Sequence, residues 1–153
     1  MEIRVVPCTS LDPRWIARRA RLWPETDIAA HYREASAQLR TETPFVALLA
    51  LVLVDVAGFA EVRLRHDPVN GCATSPVAFL EGIWVDAPFR RRGVARALVA
   101  AALAWAQAAG CSEFASDALL ENLESHAWHR ALGFAETERV VYFRKALAGP
   151  AAR

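Results

Sequence analysis

The sequence predicts a single α/β domain built around a mixed sheet. Apolar residues fill 54% of the 153 positions and charged residues 23%, a globular balance on a chain long enough for a sizeable core. Strand-like and helix-like segments alternate irregularly. No Pro-, Gly- or Ser-rich linker divides them and no internal repeat is present, so 1–147 reads as one domain and 148–153 as a flexible tail.

The elements follow in order. "IRVV" (3–6) is a first strand. A helix then starts at a capping Ser10 or Asp12, with Pro13 in its first turn, and stops before Pro24. Thr26 or Asp27 caps a second amphipathic helix through residue 40. The run 45–60, "FVALLALVLVDVAGFA", is too short for a membrane span and holds Asp55, so it reads as neighbouring strands, 45–51 and 56–65, buried on both faces. Their turn, near 52–55, lacks the usual Asn-Gly signal. Pro, Asn-Gly and Ser-Pro make 66–76 a loop, and "VAFLEGIWV" (77–85) is a central strand interrupted by Glu81. A long helix covers 91–109 and stops at Gly110. A short strand (112–117), a helix (123–132) closed by Gly133 and a last strand (139–147) complete the domain.

Bulk properties exclude several functions. A net charge of +1 leaves no general basic excess for nucleic acid. Cys8, Cys72 and Cys111 have neither zinc nor redox-motif spacing and read as reduced cytoplasmic thiols. "MEIRVV" is not a signal peptide, and no His/Cys/acid cluster suggests a metal.

The stretch "DAPFRRRGVARAL" (86–98) sets three arginines and a glycine before an alanine-rich helix. Helix N-termini carry unpaired N–H groups and the positive dipole end, and a folded-back turn in front of one makes an anion nest. Gly93 lets the backbone approach a phosphate and Ala95 keeps the first turn slim. The same arginines could equally face water.

Arg90-Arg91-Arg92-Gly93-Val94-Ala95, followed by Asn122 before a short helix and Leu132-Gly133-Phe134, resembles the signatures of the GNAT superfamily of acetyl-CoA-dependent N-acetyltransferases. The runs "LWP" (22–24), "RHDPVNGCATSPVAFLEGIWV" (65–85), "GC" (110–111), "ASD" (115–117) and "ALGFAETERVVYFRK" (131–145) look like those of the aminoglycoside 6′-N-acetyltransferases. The likeness implies a mostly antiparallel mixed sheet flanked by helices and splayed at its central strands. Acetyl-CoA would be the co-substrate, without a metal, and two copies would pair as a homodimer. It further implies that the coenzyme A pyrophosphate sits on backbone N–H groups of Arg91, Arg92, Gly93, Val94, Ala95 and Arg96. The pantetheine arm would run along Ile83, Trp84 and Val85, with an N–H near Val85 polarising the thioester carbonyl. Asn122 would contact the cofactor arm. His129 stands where many members place a tyrosine that protonates the departing thiolate; a structural hydrogen bond or solvent exposure is the alternative. Tyr142 could substitute, or pack in the core.

Aminoglycosides are polycations, so the resemblance asks for several carboxylates. Glu81 is the foremost: an acid inside an apolar strand must be paired with an arginine or border a wet cleft. Asp117 ends a short strand and either faces the cleft or caps the next helix. Glu138 matches a substrate-side acid, with Asp67 and Glu25 behind it. Trp23 could cover a sugar ring or an ammonium. Pro68 replaces an expected aromatic and would change which aminoglycosides fit. The reacting ammonium must lose a proton before its nitrogen can attack, through Glu81 and a water or through Asp117. Direct attack on the thioester then suffices, since no cysteine has a histidine partner. Two other readings stay open: acetylation of another cationic amine (polyamine, amino sugar, peptide N-terminus), or acyl-CoA binding without turnover.

Overall fold

The computed structural model describes residues 1–150. Five strands, β1 (Ile3–Pro7), β2 (Phe45–Val52), β3 (Asp55–Arg65), β4 (Val77–Val85) and β5 (Phe114–Ala115), form one sheet in that order. The first four pair antiparallel; β5 joins β4 in parallel. Helices α1 (Pro13–Leu22) and α2 (Ile28–Arg40) precede β2, while α3 (Val94–Ala108) and α4 (Leu123–Ala131) flank β5. A short 3₁₀ turn, Ala87–Phe89, links β4 to α3.

Aspartates make both caps. Asp12 accepts from the Arg14 N–H at 2.8 Å, and Asp27 from that of Ala30 at 2.8 Å. The β2–β3 hairpin turns on Leu53 and Val54, between the paired Val52 and Asp55. Leu53 takes a left-handed φ of 55°, a conformation usually given to Gly or Asn and costing an L-residue roughly 1–2 kcal/mol, so the hairpin turns without the usual signature.

Alternation along β2 and β3 feeds two cores. Ala47, Leu49 and Phe59 pack on Trp15, Ile16 and Ala35 from α1 and α2. Leu48, Ala50, Ala60 and Val62 pack on Val94, Leu98, Ala102 and Ala106, one stripe of α3 at four-residue spacing. The 45–60 run is therefore two strands covered on both sides, as its apolar character requires.

Three expectations need correction. The third helix begins at Val94 and not at residue 91, because Arg91 (φ 61°) and Gly93 (φ 87°) are left-handed and cannot lie in a right-handed helix. The strand expected at 112–117 shrinks to Phe114–Ala115, paired only as Ala78↔Phe114 and Phe79↔Ala115. The strand expected at 139–147 does not form: among the described residues no helix or strand follows α4, and Tyr142 and Phe143 are 85% and 93% exposed. Its alternating sequence pairs with no strand of its own chain, and a strand without a neighbour has nothing to stabilise it. Of the expected tail, 151–153 lie outside the described residues.

The first helix is locked to the sheet by buried charge. Arg19 donates to both oxygens of Glu61 at 2.5 and 2.6 Å and to Glu34 at 2.7 Å, and Trp15 Nε1 donates to Glu61 at 2.8 Å. Arg19 and Glu61 are 4% and 2% exposed. Burial pushes the Glu61 carboxyl upward, and Arg19 pulls against it. Removing one partner strands the other charge, so Arg19→Met should lower the unfolding free energy by about 3–5 kcal/mol in urea titration, and adding Glu61→Leu should recover most of it.

Candidate active site

The site begins with an irregularity in β4. Glu61 pairs with Gly82 and the next residue, Val62, with Leu80, so Glu81 is an extra, bulged residue. Bulges bend a strand and raise its twist. On the other side, the β4–β5 ladder stops at Phe79↔Ala115. Past that pair the strands diverge, and the edge of β4 from Leu80 onward is open. The Asp86 N–H bonds across to Ala57 O at 2.9 Å, toward β3. By strand alternation, Ile83 and Val85 then turn their backbone N–H and C=O groups to the open edge, while those of Trp84 face β3. Arg90 Nε takes the Val85 carbonyl at 3.0 Å, and its guanidinium lies over Trp84, 5.1 Å from the ring centre.

At the C-terminal end of this edge sits the arginine–glycine turn. Its two left-handed residues, Arg91 and Gly93, fold the chain back onto the start of α3. No side chain caps that helix, and its first N–H groups, those of Val94, Ala95 and Arg96, have no acceptor within it. Gly93 is needed for its φ and not for space, since an added Cβ would meet only Ile3 Cδ1, at 3.8 Å. The Arg91 and Arg92 side chains are exposed. Asp86 braces the turn from α1: it accepts from Arg18 and Arg21, each at 2.6 Å, and from Trp84 Nε1 at 2.9 Å. Burial pushes this carboxyl up, but the donors from Trp84, Arg21 and Arg18 hold it below its ordinary range.

On the α1/α2 face lies a cavity of about 370 Å³, lined by Arg19, Trp23, Glu25, Thr26, Glu34, Gln38, Glu61, Arg63 and Glu81. It gathers four acids against two guanidinium groups. Glu81 satisfies both alternatives posed by its sequence: it borders the cavity and is held by Arg65, at 2.9 to 3.1 Å. Arg63 stands 3.9 Å from the same carboxylate and donates to Gln38. The Trp23 ring lies so close over Gly82 that a Cβ there would stand 2.6 Å from the indole. The guanidinium of Arg19 is 4.9 Å from the Trp23 ring centre.

The other expected residues scatter. Asp117 is exposed, two residues beyond the last β5 pair, with no hydrogen bond among the described residues. It is not the α4 cap; Asn122 is, accepting from the Ser125 N–H at 3.1 Å. His129 lies on α4 and is hydrogen-bonded through both ring nitrogens: Nδ1 is 2.7 Å from the Ser125 carbonyl and Nε2 is 2.8 Å from Ser116 Oγ. Burial lowers its pKa from the ordinary imidazole range. Asp67 and Glu138 are exposed and do not line the cavity, although Thr137, next to Glu138, packs on Gly71 of the loop that carries Asp67. Tyr142 is exposed, so it does not pack in the core of its own chain.

Glu34, Glu61, Arg63 and Gln38 escaped sequence reasoning. Glu61 carried a usable signal, an acid inside the apolar run "AGFAEV", the same anomaly that drew attention to Glu81. Among the described residues no group of three or more His, Cys, Asp or Glu is placed to hold a metal, and no helix is long and apolar enough to cross a membrane.

The model of the acetyltransferase (GNAT) family matches residues 11–134. An aminoglycoside N(6')-acetyltransferase type 1 from Stenotrophomonas maltophilia is 49% identical over 133 residues, covering 87% of this chain and 86% of the relative. Another of that name, from Salmonella typhimurium, is 46% identical over 147 residues, covering 95% and 99%. The structure of AAC(6')-Iy with the bisubstrate analogue CoA-S-monomethyl-acetylneamine superposes with a TM-score of 0.89 at 41% identity, over 96% of this chain and 100% of that one. Agreement on this scale, in sequence and in fold, leaves one assignment: the chain belongs to the GNAT acetyltransferase family, alongside the aminoglycoside 6′-N-acetyltransferases.

Proposed function

We propose that this chain transfers the acetyl group of acetyl-CoA to the 6′-amine of aminoglycosides by direct attack, and so confers resistance to them. The observation that carries this reading is the open β4 edge, with a turn suited to anions at one end and an acid-rich cavity beside it. A diphosphate fits the turn because it can accept from several unpaired N–H groups of Arg91 to Arg96 together. Ile83 and Val85 offer free N–H groups for the amide-bearing arm, in the manner of an added strand. Trp84 supports that edge through its side chain, by its bond to Asp86. Asn122 contacts the arm through its amide N–H₂, since its Oδ1 is already engaged by the Ser125 N–H. Acetyl-CoA supplies an activated acyl carbon; the protein supplies placement, which accounts for much of the acceleration.

Glu81, Trp23 and Glu25 receive the polycation in the cavity, and Asp117, Asp67 and Glu138 add negative charge at its approaches. Glu81, through a water, or Asp117 takes the proton that the reacting ammonium must lose. The enzyme works in the cytoplasm, in keeping with three free cysteines. It works as a homodimer: the segment after Glu138 exposes Val140, Val141, Tyr142, Phe143 and Leu147. Such an apolar extended segment suits the free edge of β5 in a second copy. Paired in this way, 1–147 acts as one folded unit.

Three measurements test this. Thiol release from acetyl-CoA should appear with kanamycin or tobramycin; release with other amines only would reassign the substrate, and cofactor binding without turnover would end the enzymatic reading. In the same assay Glu81→Gln and Asp117→Asn should lower kcat by about 100-fold and leave acetyl-CoA affinity within about twofold. Gly93→Val forces a β-branched residue into the left-handed region and should weaken acetyl-CoA binding at least about tenfold in calorimetry, with aminoglycoside binding retained. In light scattering the full chain should weigh twice its 16.8 kDa, and a chain cut after Glu138 should be monomeric.

A further inference from the structure

The last β4–β5 pair, Phe79↔Ala115, makes Ser116 the first residue past the point where the strands part. It sits at the apex of the cleft, with the bulged Glu81 two residues beyond Phe79 on the facing strand. Its Oγ is 2.8 Å from His129 Nε2. The other ring nitrogen, Nδ1, is 2.7 Å from the carbonyl oxygen of Ser125, one helical turn earlier. A carbonyl can only accept, so Nδ1 carries the proton. In the neutral ring Nε2 is then a bare lone pair, and the Ser116 hydroxyl is the donor. Trp128 and Phe134 meet the ring edge-on at 4.5 and 5.1 Å and fix its plane. Both nitrogens are engaged, so His129 can exchange protons with the cleft only through Ser116.

This is the arrangement of a hydroxyl, a base and a group that orients the base, and it has the wrong tautomer for a simple acid. We propose that Ser116 and His129 form a proton shuttle that carries one proton from the attacking nitrogen to the departing sulfur; this rests on the acetyl transfer proposed above. As the neutral amine forms its bond to the acyl carbon, the nitrogen becomes positive and gives a proton to Ser116 Oγ. Ser116 passes its own proton to His129 Nε2. The carbon–sulfur bond breaks with its electron pair on sulfur. The imidazolium, held by the Ser125 carbonyl, returns its proton to Ser116, whose hydroxyl proton goes to the thiolate. Amide and thiol leave neutral, and both side chains return to their starting state. The charged and titratable groups around the ring are His126 on α4, which opposes the imidazolium, and Asp117, which favours it. Ser116 is thus a catalytic residue, and His129 acts through it.

The test is Ser116→Ala beside Ser116→Thr in the full-length enzyme. With acetyl-CoA and tobramycin, the alanine variant should lose about 100-fold in kcat with both KM values within about twofold, and threonine should restore most of the rate. A kcat within twofold of the parent, or equal losses in both variants, would overturn the shuttle while leaving acetyl transfer intact. A second readout needs no turnover: ¹⁵N NMR of the free enzyme should find His129 as the Nδ1–H tautomer, and a dominant Nε2–H tautomer would refute the shuttle even if the enzyme accepted no aminoglycoside.

Discussion

β4 carries one residue more than β3 can pair, and that residue is Glu81. The consequences reach in several directions. The bulge turns the second half of β4 away from β5, so the ladder ends after two pairs and the backbone N–H groups of Ile83 and Val85 are left without a strand partner. The same irregularity brings Glu81 and Gly82 toward α1, where the missing Cβ of Gly82 admits the ring of Trp23. A regular strand would have closed the sheet and directed the acid elsewhere. Pairing energy forgone over a few residues is modest, on the order of 1 kcal/mol per hydrogen bond, and it creates an edge along which an amide-bearing ligand can lie.

The acids near this edge divide by burial. Glu61 and Arg19 are 3% and 4% exposed at their side chains and are held by several hydrogen bonds, so neither can be released without leaving a buried charge that costs about 3–5 kcal/mol. They belong to the scaffold and fix α1 against the sheet. Glu81 and Arg65 are 25% and 40% exposed. Pairs in that setting contribute about 0–1 kcal/mol, so a ligand ammonium can take the place of the guanidinium at little cost. Arg65 keeps Glu81 satisfied in the free protein without competing strongly in the complex. Identical carboxylates thus acquire different duties from solvent access alone.

Much of this was legible because it is local. Asp12, Pro13 and Pro24 delimit α1; Gly93 before an alanine-rich run marks a backbone change at the start of α3; Glu81 stands out in its strand. Features that depend on distant partners were not. Glu34 and Gln38 reach the cavity from α2 and Arg63 from β3, positions where a charged or polar residue ordinarily faces water. The role of Ser116 depends on where β5 parts from β4, which pattern cannot supply. The segment 139–147 has the alternation of a strand, but a strand is a relation between two segments, and in its own chain it is paired with none.

The two ends of the cleft make opposite electrostatic demands, and the fold meets them on separate elements. Positive potential comes from the start of α3 and from Arg91 and Arg92, beyond the C-terminal end of β4. Negative charge comes mainly from Glu25, Glu34 and Glu81 on the α1/α2 face. With the ions apart, a polyanion and a polycation can be drawn to the same cleft without neutralising the groups meant for the other. Between them, at the apex, stand a serine hydroxyl and an imidazole whose pKa burial lowers. A fixed charge at that point would favour one partner over the other. In the proposed shuttle, a pair that can gain and lose one proton would serve both the positive nitrogen that forms and the negative sulfur that leaves.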